Sequence, residues 1–127
     1  MRFSVLRLTT IRRLDLATLR AAWWTHAALR RTRMSLRTRP VADVVVPRPP
    51  RLPEHAGRGV YAVLRRVPNT CLERALVLQR WLSEQGLDKD VIIGVTSPRD
   101  FRAHAWLDGE TVEEEFQELT RLQPPVR

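Results

Sequence analysis

The sequence is poor in the residues that staple or metallate small proteins. One cysteine, Cys71, stands among 127 residues, so an intrachain disulfide and a cysteine-rich metal site are both excluded. The three histidines, His26, His55 and His104, show no H-x-x-x-H spacing, and the five glycines are scattered rather than gathered into a phosphate-binding loop. Long apolar runs are missing too. The uncharged stretch from Ala21 to Leu29 falls far short of the ~20 apolar residues that a spanning helix needs. Arg12, Arg13 and Arg20 interrupt any signal-peptide core. These absences are read as a cytoplasmic protein without a membrane span. Lysine is nearly absent, with arginine supplying 21 of the 22 basic side chains.

Hydrophobic residues at 43% and charged residues at 28% suit one folded domain. The net charge of +8 is unevenly placed. Residues 1–66 carry 15 basic and 3 acidic side chains, and residues 67–127 carry 7 and 11. The basic half is suited to nucleic acid, an acidic peptide or an anionic surface. No helix-turn-helix or aromatic stacking platform accompanies it, so a nucleic-acid-binding adaptor ranks last among the readings.

Residues 10–36 have helical spacing, with Thr10 as the cap and Leu16, Leu19, Trp23, His26 or Ala27 and Arg30 in phase. Trp23 and Trp24 cannot both enter one core. Five prolines between 37 and 53 predict a tether and divide the chain into residues 1–53 and 54–127. A second helix is predicted over residues 54–66, burying Val60 and Leu64, with Tyr61 a further candidate. Thr70-Cys71-Leu72-Glu73 reads as a capping box opening a third helix, which Gly86 ends. Strands are predicted at Val91–Val95, Phe101–Leu107 and Glu110–Glu114, with Pro98 and Asp100 turning the chain between the first two. Asp108-Gly109 is read as the tight turn between the second and third. A short helix is expected over Phe116–Leu122. Helices followed by an antiparallel sheet define an α+β layout.

Cys71 falls on the first turn of the third helix, where N–H groups and the helix dipole favour a thiolate and can hold an oxyanion. A buried structural cysteine is the alternative. Strand alternation puts Phe101, Ala103, Ala105 and Leu107 on a packing face and Arg102, His104 and Trp106 on the other. A two-residue hairpin loop sets Glu113 opposite His104, where it would fix the imidazole; Glu115 shares that face, and Glu114 would need a bulge. Nucleophile, base and orienting carboxylate then follow in chain order.

The run Cys71-Leu72-Glu73-Arg74-Ala75-Leu76, Gly86, and Phe101-Arg102-Ala103-His104-Ala105-Trp106-Leu107-Asp108-Gly109 resembles the leader peptidases of lasso peptide biosynthesis. That family belongs to the transglutaminase-like, papain-related cysteine proteases. The resemblance spans about residues 58–114. It implies a core with a central helix packed on a small antiparallel sheet, with Cys71 as nucleophile and His104 as general acid and base. It also implies an acidic residue after the turn. The family usually has Asp there, and counting from Gly109 points to Glu114 rather than Glu113. Asn69 is a candidate oxyanion donor, and Arg102 and Trp106 are candidates to contact substrate. No cofactor is called for. The implied partners are a precursor peptide, a small leader-recognition protein and a lasso cyclase. The alternative on the same scaffold is an acyltransferase, in which an amine replaces water.

Overall fold

The computed structural model describes residues 15–96, 99, 101–112 and 115–125. Thr10, Pro98, Asp100, Glu113 and Glu114 lie outside them. Helix α1 spans Leu16–Thr38 and begins later than its periodicity suggests, because Asp15 rather than Thr10 caps it. The Asp15 Oδ1 accepts from the Thr18 N–H and hydroxyl, each at 2.9 Å. The stripe read as apolar and in phase is the solvent face: Leu16, Leu19 and Trp23 are exposed. The buried stripe is Ala21, Trp24, Ala28 and Leu29, interleaved with Thr18, Thr25 and Thr32. Trp24 wins the core over Trp23, being 7% exposed against 80%. It lies 6.0 Å from Trp81 and donates its indole N–H to the Pro47 carbonyl at 3.2 Å.

The proline-rich segment forms no strand. After a 3-10 turn at Val41–Asp43 it runs extended, with Val44, Val46 and Leu52 packed on the core. Arg48 pairs with Glu84, and the Gln85 side chain donates to the Leu52 carbonyl. A 3-10 turn at Glu54–Ala56 leads into α2, Gly57–Arg66, which buries Val60 and Leu64 and leaves Tyr61 exposed. Helix α2 crosses α1 closely. A β-carbon on Gly59 would collide with the Thr18 carbonyl oxygen and stand 2.9 Å from the Ala22 nitrogen. Helix α3, Cys71–Glu84, ends in paired backbone bonds, Gly86 N–H to Ser83 and Leu87 N–H to Leu82. They are made possible by Gly86 at φ 84°.

Three antiparallel strands follow in the order β2-β1-β3, with β1 at Val91–Val95, β2 at Ala103–Leu107 and β3 at Gln117–Leu122. The architecture is α+β, as expected, with α3 packed on the small sheet. Two expectations are overturned. Phe116–Leu122 is not a helix, because pairing with the open edge of β1 outweighs the three-residue spacing of Phe116, Leu119 and Leu122. A bulge opposite Ile93 and Gly94 makes Leu119 the extra residue. Nor does the chain return along β2 after Asp108-Gly109. The turn itself forms, with the Glu110 N–H on the Leu107 carbonyl at 3.0 Å and Gly109 at φ 93°. Residues 110–112 then leave the sheet. The partner of β2 is β1, and His104 stands opposite Gly94.

One core runs from α1 through α2 and α3 to the sheet, including Ala21, Val60, Val77, Val91 and Leu107. Among the described residues no helix is long and apolar enough to cross a membrane.

Candidate active site

The best-built feature of the chain is the start of α3. The Thr70 hydroxyl accepts from the Glu73 N–H at 3.1 Å, and the Glu73 carboxylate accepts from the Thr70 N–H at 3.0 Å. Two otherwise orphaned amide groups are thereby satisfied. Cys71 is the first helical residue, half-buried and outside any disulfide, with its side chain against the core.

A long-range contact, invisible to local sequence patterns, completes the cap. Arg33 of α1 reaches Glu73 with two prongs, Nε to Oε2 and Nη2 to Oε1, each at 3.2 Å. Its Nη2 also donates to the Pro68 carbonyl at 2.9 Å. Burial pushes the Glu73 carboxyl up, but the Arg33 hydrogen bonds and charge and the Thr70 N–H together hold it below its ordinary value. Asn69 pins the same approach. Its amide donates to the Leu64 carbonyl at 2.9 Å and the Val67 carbonyl at 2.7 Å, tying the end of α2 to the start of α3. Both of its N–H groups are thus engaged within the protein.

His104 sits on β2. Register puts Val91, Ala105 and Leu107 on the face packed against α3, and Ile92, Gly94, His104 and Trp106 on the other. Phe101 and Ala103, expected on the packing face, are exposed, because Phe101 precedes the strand and Ala103 lies at its end, beyond the reach of the core. The imidazole stacks on Trp106 at 5.7 Å and meets Phe116 at a tilt of 32°, 5.3 Å away. Gly94 beneath them is obligatory, since a β-carbon there would lie 2.7 Å from the Trp106 ring and 3.0 Å from Phe116. Phe116 had no local signal in the sequence beyond its place after three glutamates.

The structure does not bring Cys71 and His104 together: Cys71 lies on the α3 side of the sheet, His104 is on the opposite face, and no hydrogen bond joins them. Arg74, on the same turn as Cys71, pairs with Glu110 beyond β2 at 3.3 Å, bracing α3 against the strand that carries His104. Arg102 closes the β1–β2 connection through Thr96, its N–H on the Thr96 hydroxyl at 2.8 Å. Glu113 and Glu114 lie outside the described residues, and the hairpin register that favoured Glu113 is not the one observed. Glu115 is exposed. Among the described residues no group of three or more His, Cys, Asp or Glu side chains could hold a metal ion.

A thiol opening a box-capped helix, with that helix packed on a small antiparallel sheet carrying a histidine, is the layout of a transglutaminase-like core. The chain belongs to the transglutaminase-like superfamily, whose family model matches residues 12–127. No curated protein matches the chain, and no solved structure does.

Proposed function

We propose that the chain is a cysteine endopeptidase that removes the leader from a ribosomally made lasso peptide precursor. The observation that carries the reading is the placement of its single cysteine at the first position of α3, inside a capping box, in a chain of this superfamily. There the unpaired N–H groups at the positive end of the helix dipole are placed to receive the oxyanion.

In the proposed reaction the Cys71 sulfur bonds to the scissile carbonyl carbon. The C–N bond breaks as the imidazolium of His104 gives its proton to the departing amine, which is the new N-terminus of the core peptide. Water, losing a proton to His104, then hydrolyses the thioester and frees the leader carboxylate. Because His104 lies on the face of β2 turned away from α3, this step requires the edge strand to turn its imidazole toward the sulfur when substrate binds. The third member is an acidic residue after Gly109, either Glu113 or Glu114. Trp106 and Arg102 are proposed to contact the substrate, and Asn69 to assist the oxyanion if one of its two bonds is released. The partners are a small leader-recognition protein and, after cleavage, a lasso cyclase, all in the cytoplasm.

The test is incubation with a precursor peptide and a leader-binding partner, followed by mass. Wild-type protein is expected to give free leader and core, and Cys71→Ala neither. Cleavage retained by Cys71→Ala overturns the reading. A leader recovered as an amide with added amine, in place of the free acid, identifies an acyltransferase.

A further inference from the structure

Helix α1 carries a second apolar stripe that the core does not use. Leu16, Leu19, Trp23 and Met34 are all exposed. Their spacing keeps them on one side of the helix along about 27 Å. Two hollows flank Trp23. One, of about 530 Å³, is shared with Arg30, Arg31 and Met34. The other, of about 440 Å³, lies between α1 and the segment at Pro47 and Pro50.

The charge on this helix has one sign. Its sequence holds Arg20, Arg30, Arg31, Arg33 and Arg37 and no carboxylate. Arg33 is engaged with Glu73. Among the described residues Arg20, Arg30 and Arg31 have no ion pair. Trp, Arg and Met together are the side chains that interface cores favour.

We propose that this face of α1 docks an acidic amphipathic segment of a partner polypeptide. Its apolar side chains would fill the hollows on either side of Trp23, and its carboxylates would meet Arg20, Arg30 and Arg31. The competing occupants fit less well. Residues 1–14 hold four arginines and no acid, which is the wrong charge. A second copy of α1 would set arginine against arginine. A bilayer presents no side chains to concave hollows, and a nucleic-acid backbone leaves the leucines without a contact. The proposal uses no catalytic group and stands apart from the peptidase reading.

The experiment is calorimetric titration of the whole chain with a synthetic helical peptide of about 18 residues, leucines along one face and glutamates along the other. The expected result is saturable one-to-one binding that weakens with salt. Trp23→Ser and the double variant R30E/R31E should each bind about tenfold more weakly or worse, with unchanged circular dichroism. A peptide with lysine for glutamate should prefer R30E/R31E to wild type. Wild-type affinity in both variants overturns the proposal. So does tighter binding to phosphatidylglycerol vesicles or duplex DNA than to the peptide, or self-association that Trp23→Ser abolishes.

Discussion

Arg33 and Glu73 lie 40 residues apart in the chain and meet in a two-pronged ion pair. The same carboxylate closes the capping box in front of Cys71. The N-terminal helix is therefore a structural support of the thiol's helix start. Its arginines divide between that task and the solvent.

This pair predicts an acid-sensitive stability. The Glu73 carboxyl is held below its ordinary 4.5 in the folded protein, so its contribution is complete above that value and fades as pH falls below it. Asp15 acts in the same direction. The Thr18 N–H and the His55 side chain lower it from 3.8 to about 2, so its share fades across that interval. Glu73→Gln should flatten the pH dependence of denaturant unfolding below the ordinary 4.5 of the free carboxyl. Glu73→Ala, which removes the box and leaves Arg33 unpaired, should cost about 2 kcal/mol at neutral pH. A midpoint unchanged at both pH values would show that the pair contributes nothing.

Gly59→Ala should be among the most damaging single-methyl additions. The methyl meets backbone of α1, the Thr18 carbonyl and the Ala22 nitrogen, and backbone cannot step aside as a side-chain tip can. The expected loss is about 3 kcal/mol, read by thermal melting. Gly86→Ala meets no atom within 4 Å, and its cost is confined to a φ of 84°, about 1 kcal/mol.

Under the proposed mechanism, Glu114 is the stronger expectation for the third member, because the pairing that favoured Glu113 is absent from the sheet, in which β2 pairs with β1. Glu114→Ala is expected to lower kcat by about a hundredfold, and Glu113→Ala by less than about threefold. Mass-based kinetics on each variant decide it, and equal, small effects would leave a Cys–His dyad.

Phe116 is expected to act through His104. Phe116→Ala removes one of the two rings that hold the imidazole. It should lower kcat/KM about tenfold and change the pH profile, while Phe116→Tyr restores both. A drop in melting temperature with an unchanged pH profile of kcat/KM would make Phe116 a packing residue alone.

Much of this was legible locally. The capping box, the Gly86 stop and the Asp108-Gly109 turn are short-range devices, and each formed as its residues dictate. The alternation that separates His104 from Ala105 is equally local. What failed was partner choice. Nothing within Gln117–Leu122 announces that β1 has an open edge, and nothing near Asp108 says that β2 pairs elsewhere. The N-terminal helix misled for a different reason. Leu16 and Leu19 mark the solvent side, while small residues and threonines let α2 approach on the other.

Adjacent tryptophans on α1 give the molecule two optical reporters of opposite kind. Trp23, 80% exposed, samples water and whatever meets the helix from outside. Trp24, tilted by 39° against Trp81, senses the seam between the N-terminal helix and the helix that Cys71 opens. The near-ultraviolet dichroism of that pair should vanish when the two helices part, even where helical content survives. Quenching by iodide should follow Trp23 first, with half-buried Trp106 a smaller contributor that Trp23→Phe would leave in place. Docking on the outer face and loosening of the inner one can thus be watched separately in a single unlabelled sample.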